Sequence, residues 1–174
     1  MTLISTVTVG AGGASSITFS SIPSTATDLL VVLSARSSDT TTSCRIQFNG
    51  DTASNYNYLN LVGNGSTVTS QTTTTITFFS TVNGITPSGA TASTFGNLSI
   101  YIPNYASSVA KTISQDSVDE NNAASAVAMI QAGFWNNTAA ITSINLFKSL
   151  GTFVQYSSAS LYGVLKGSGG ATVA

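Results

Sequence analysis

Short runs of alternating apolar and polar side chains, each soon broken by Gly, Asn, Ser or Pro, constrain this chain more than any other feature. Successive side chains of a strand point to opposite faces, so alternation marks a strand with one covered face. Leu98, Ile100 and Ile102 alternate with Asn97, Ser99 and Tyr101, and Pro103 ends the run. Cys44, Ile46 and Phe48 alternate with Arg45, Gln47 and Asn49, and Asn49-Gly50-Asp51 then supplies turn chemistry. The same pattern recurs at Ile17/Phe19, at Ile76/Phe78, at Ile144/Leu146 and from Ser160 to Leu165. Two runs are apolar on both faces, Leu29 to Leu33 and Val127 to Trp135, and read as central strands covered on each side. By length the second could be a helix; Gly133 and the pair Phe134-Trp135 favour a strand.

About nine or ten strands at this spacing predict an all-β fold, an antiparallel two-sheet β-sandwich of jelly-roll type. The expected core is Val31 to Leu33, Ile46, Phe48, Phe78, Leu98, Ile100, Ile144, Leu146 and Leu161. Residues 1–13 read as a strand, Leu3 to Val9, followed by a glycine hinge, and residues 14–166 as the sandwich. Residues 167–174, opening Gly167-Ser168-Gly169-Gly170, read as a flexible tail. The first strand is either a detachable arm that adds to a neighbour's sheet or the first strand of its own sandwich. The polar stretch Gly50 to Thr75 reads as loose.

Charge narrows the function. Only 6% of the 174 residues are charged, against about 25% in an ordinary protein, and Ser and Thr fill roughly a third of the chain. The five cations, Arg36, Arg45, Lys111, Lys148 and Lys166, are scattered, so the clustered basic surface that nucleic acid or an anionic membrane requires is not expected. With a net charge of −1 the surface is poorly soluble unless an assembly covers it, which predicts self-association, with a homotrimer as the first expectation. No basic, apolar leader opens the chain and no run approaches a membrane span, so a soluble, non-exported product is expected.

The inventory for catalysis is thin. There is no histidine and one cysteine, which removes the usual general base, the common nucleophile arrangements and most zinc sites. An enzyme is not expected, and no catalytic, cofactor-binding or metal residue is assigned. Cys44 reads as a small buried hydrophobe. Asp116, Asp119 and Glu120, followed by Asn121 and Asn122, are oxygen-rich but lack the spacing of an EF-hand, and read as a solvated turn rather than a calcium loop. Gly10-Ala11-Gly12-Gly13 lacks the Lys-Ser/Thr of a phosphate loop and reads as a turn. The Asn-x-Ser/Thr triplets at Asn64, Asn97 and Asn136 are expected by chance in such a composition. Trp135 with Asn136 and Asn137, and Tyr56, Tyr58, Tyr101 and Tyr105, could form a sugar platform; burial of Trp135 in the core is the favoured reading.

The segments Asp28-Leu-Leu-Val-Val-Leu-Ser-Ala-Arg-Ser37, Ile46-Gln-Phe-Asn-Gly-Asp51, Leu98-Ser-Ile-Tyr-Ile-Pro-Asn-Tyr105, Asp116-Ser-Val-Asp-Glu-Asn-Asn122 and Ala132-Gly-Phe-Trp-Asn-Asn-Thr-Ala-Ala-Ile-Thr-Ser-Ile144 follow in an order that resembles a family of phage virion β-domains. The resemblance spans Ser16 to Leu165. It implies a structural protein on the outer surface of a phage particle, assembled in the host cytoplasm, with no catalytic or metal residues. Within that class the expected role is a capsid decoration, or cement, protein whose partner is the major capsid protein. The alternative is a tail-fibre module recognising host surface glycans.

Overall fold

The computed structural model describes residues 1–120 and 126–165, and every strand pairing within its two sheets is antiparallel. In chain order the strands are β1 (Thr2–Thr8), β2 (Ser16–Phe19), β3 (Asp28–Ala35), β4 (Arg45–Phe48), β5 (Tyr56–Gly63), β6 (Val68–Ile76), β7 (Phe79–Ser80), β8 (Gly96–Ile102), β9 (Lys111–Glu120), β10 (Ala126–Trp135), β11 (Ile144–Phe147) and β12 (Ser158–Val164). One sheet runs β1-β12-β3-β8-β9-β10-β5-β6 and the other β2-β11-β4-β7. Lys166, the glycine-rich tail, Asn121 and Asn122 lie outside the described residues.

Setting aside the antiparallel pairs β5–β6 and β9–β10 leaves eight strands. Their order is first-eighth-third-sixth in one sheet and second-seventh-fourth-fifth in the other, the order of a jelly roll. The two extra pairs extend only the first sheet, beyond β8. The molecule is therefore a jelly roll with a four-strand extension on one side.

Alternation builds the jelly-roll core. Leu29, Val31 and Leu33 of β3, Leu98, Ile100 and Ile102 of β8, and Leu161 of β12 meet Ile17 and Phe19 of β2, Ile46 and Phe48 of β4, and Ile144 and Leu146 of β11, all buried. Gly10–Gly13 is a turn closed by the Gly13 amide on the Gly10 carbonyl at 3.0 Å. β1 lies on β12 of its own sheet from Thr2 to Thr8, so it is the first strand of its own sandwich.

Several sequence expectations need correction. Twelve strands form among the described residues, because the stretch Gly50 to Thr75 holds β5 and most of β6. Its Ser and Thr side chains carried no apolar alternation, yet backbone pairing to β10 orders it. The Leu29–Leu33 and Val127–Trp135 runs are strands covered on one face only: Val32 and Phe134 are each 40% exposed. Phe78 is half-buried instead of core. A register shift at the end of β6, with Thr75 at φ 57, changes which face the following residues occupy. Phe79 takes the core position, edge-on to Phe48 and Tyr56 at 5.7 and 5.0 Å. Phe78 lies outside, beneath the Arg45 guanidinium at 4.3 Å.

Candidate interaction surface

The extension buries a polar row beside its apolar side chains Tyr58, Ile113, Met129 and Trp135. Its inner face carries a polar row: Asn60 of β5, Gln131 of β10 and Gln115 of β9 stand opposite one another in register, all buried. Gln115 donates its side-chain amide to Gln131, and Gln131 donates to the Ser80 carbonyl at 2.9 Å. Ser117 donates to the Asn83 carbonyl. Residues 79–86 thus cover this face through carbonyls and threonines. Beside the row, Gly133 lets Phe79 approach the sheet: a Cβ there would lie 2.6 Å from Ile113 and 2.8 Å from Phe79.

The outer face is apolar where the inner one is polar. Leu59 and Leu61 of β5 project beside Ala132 and Ile130 of β10, with Phe134 beyond them. Ile130 is 58% exposed, and Leu59, Leu61 and Phe134 are each roughly two-fifths exposed. The small Ala132 leaves two adjoining hollows. One, of about 360 Å³, is lined by Leu59, Leu61, Ile130 and Ala132 with Ser114 and Asp116 at its rim; the other, of about 250 Å³, lies between Leu59, Phe134 and Thr72 to Thr74. Contiguous apolar surface of this kind marks an interaction site more often than an idle face.

The four described cations are engaged elsewhere, while Asp116 at the rim of the first hollow accepts from the Ser99 hydroxyl. Arg36 donates to the carbonyls of Ser88, Ala90, Thr91 and Thr94 at 2.7–3.2 Å and so holds the loop before β8. Lys111 donates to the carbonyls of Ser107 and Val109. Lys148, buried, donates to Thr41 and Ser43 and lies 3.7 Å from Asp39. Burial pushes the Asp39 carboxyl up, but hydrogen bonds from Ser37 and Thr41 and the Lys148 charge outweigh it and bring it down to about 2. Asp51 accepts from the Trp135 indole and Asn55 at 2.9 Å and from Asn137 at 3.1 Å, which fixes the turn over the aromatic cluster. With Arg45 on Phe78, all four described cations are bound within the chain, and none is left to dress the outer face.

The sequence candidates fall as follows. Cys44 is buried, and burial pushes its thiol up to about 12, which leaves it unreactive. Asp116, Asp119 and Glu120 lie on strand β9, not in a turn, so Asp116 points out and Asp119 in, and no shared oxygen cage results. Among the described residues no three His, Cys, Asp or Glu gather as a metal set. Burial, with the Glu120 charge, raises the Asp119 carboxyl to about 6, and its Oδ1 has no hydrogen-bond partner. Trp135, Tyr56, Tyr58 and Tyr105 are buried, so they make no sugar platform; exposed Tyr101 donates its hydroxyl to Asp28 at 2.6 Å.

The sequence reading missed the apolar outer face. Its signal was the doubly apolar run from Val127 to Trp135, which was expected to be covered on both sides within one chain. Compared with protein-family models, with curated proteins and with solved structures, the chain matches none.

Proposed function

We propose that the protein is a bacteriophage virion structural protein, a decoration protein that binds the outside of the capsid and stabilises it. The observation that carries this reading is the apolar patch on the outer face of the extension, where Leu59, Leu61, Ile130 and Phe134 are exposed above a buried row of amides. A face of that kind docks onto a largely apolar protein surface, here the major capsid protein. Binding only the assembled shell stabilises it by the binding free energy. An interface on the order of 1,000 Å² per copy is a reasonable requirement, and three copies around a threefold position of the shell would form the repeating unit. The internal engagement of the four described cations supports contacts that depend little on salt, because screening acts on long-range charge attraction.

The test is binding to purified heads that lack the protein, at low and at high salt. The native chain should bind at both, and Leu61→Asp and Ile130→Asp should abolish binding while leaving the fold intact. Binding to purified tails or host glycans with indifference to heads would replace the decoration reading with the fibre alternative.

A further inference from the structure

We propose that two copies of this chain join edge to edge through β6, antiparallel about a two-fold axis at Gln71, to form one continuous sheet. This contact is separate from the outer-face docking above and does not depend on where the protein works.

The first observation is the edge itself. β6 ends the eight-stranded sheet, and most of its side chains on both faces are exposed, so it overhangs the second sheet. Unpaired edges invite strand addition, and proteins usually guard them with charge, proline or a bulge. From Val68 to Ile76 there is no charge and no proline. Both edge strands carry a register shift, β1 between Leu3 and Ser5 and β6 beyond Thr73, but β6 offers an unbroken run from Val68 to Thr73.

The second observation is self-complementarity. A two-fold at Gln71 places Thr69 opposite Thr73 and Ser70 opposite Thr72 of the other copy, the hydroxyl pairs that suit adjacent strands. An isologous contact requires such matching of a segment with itself.

The third observation fixes the register. Gln71 stands opposite Asn60, so the polar row continues to the edge: Gln115, Gln131, Asn60 and Gln71 on four adjacent strands. Asn60 is buried and its Nδ2 has no partner within the chain. Pairing about Gln71 extends the row across the axis through Gln71, Asn60, Gln131 and Gln115 of the second copy. Amide ladders of this kind stabilise neighbouring strands, and the second Gln71 holds the first over Asn60. Because the axis runs perpendicular to the sheet, the apolar outer faces of both copies lie on one side and present a doubled docking surface.

Cysteine cross-linking of the full chain tests both contact and register. Gln71→Cys should give a covalent dimer under mild oxidation, since facing Cα atoms of antiparallel strands lie about 4.5–5.5 Å apart, within disulfide reach. Thr69→Cys and Thr73→Cys should each give none alone, being four residues from their own copies, about 13 Å, but should cross-link when mixed. Ser70→Lys with Thr72→Lys places like charges opposite one another and should abolish the Gln71→Cys dimer with the fold unchanged. Absence of the Gln71→Cys dimer, equal cross-linking by Thr69→Cys alone, or survival of the dimer in the double-lysine background would each overturn the proposal.

Discussion

The jelly-roll half and the four-strand extension share one sheet but differ in what each buries beneath it. In the jelly roll, β3, β8 and β12 turn Leu, Val and Ile toward the second sheet and leave a mixture outside, Ser34, Ser99 and Ser160 beside Leu30, Val32 and Tyr101. In the extension, β5, β9 and β10 turn Asn60, Gln115, Ser117, Asp119 and Gln131 inward beside Tyr58, Ile113, Met129 and Trp135, and turn Leu59, Leu61 and Ile130 outward. The covering partner explains the difference. The jelly roll faces four strands of apolar side chains, whereas much of the extension faces the chain from Ser80 to Thr86, whose backbone groups need hydrogen-bond partners. The lesson is that one sheet can bury an apolar layer across one half and a row of amides across the other, according to what lies opposite.

The widest separation between the halves should appear when the same side chain is truncated in each. Ile100→Ala, in the jelly-roll core, should cost about 2–5 kcal/mol in chemical denaturation. An equal loss for Ile130→Ala would break the comparison, because that exposed residue should lie within about 0.5 kcal/mol of the native chain.

The second effect is electrostatic. The Asp119 carboxyl, raised to about 6, binds more protons folded than unfolded between its ordinary value of 3.8 and 6. Stability should therefore fall as pH rises through that window and then level off. Asp119→Asn should remove this fall, gaining about 2–3 kcal/mol at neutral pH, the equivalent of the shift. Asp39 works in the opposite sense: its carboxyl is lowered to about 2, so its contribution is present above 3.8 and is lost as pH falls toward 2. Urea midpoints measured from pH 3 to pH 8 separate the two.

A smaller loss tests how the halves join. Gly133→Ala should cost about 1–3 kcal/mol by overpacking Ile113 and Phe79, read as a lowered melting temperature. No change there would mean that the aromatic cluster does not seat the extension against the jelly roll. The smallest stability effect is expected for Gln71→Ala at the exposed edge, within about 0.5 kcal/mol for the single chain, with any larger loss appearing only where copies associate.

Much of the jelly roll was legible in the sequence because most of its strands carry their own record of burial. Alternation at Cys44 to Phe48, Leu98 to Ile102 and Ile144 to Leu146 named the core directly. The extension was less legible. β5 and β6 are rich in Asn, Ser and Thr and read as loose, since they are ordered by backbone pairing of β5 to β10 and of β6 to β5. Phe78 and Phe79 could not be ordered from alternation because the shift at Thr75 changes the face.

By itself the sequence determined the class of structure: alternation with frequent turn residues leaves only sheets. Only the tertiary structure decided that the described cations are consumed by carbonyls and a ring, and that beyond β8 a row of amides is buried while Leu59, Leu61 and Ile130 face outward. Those outcomes depend on what lies across a face, and the partner across a face comes from residues distant in the chain.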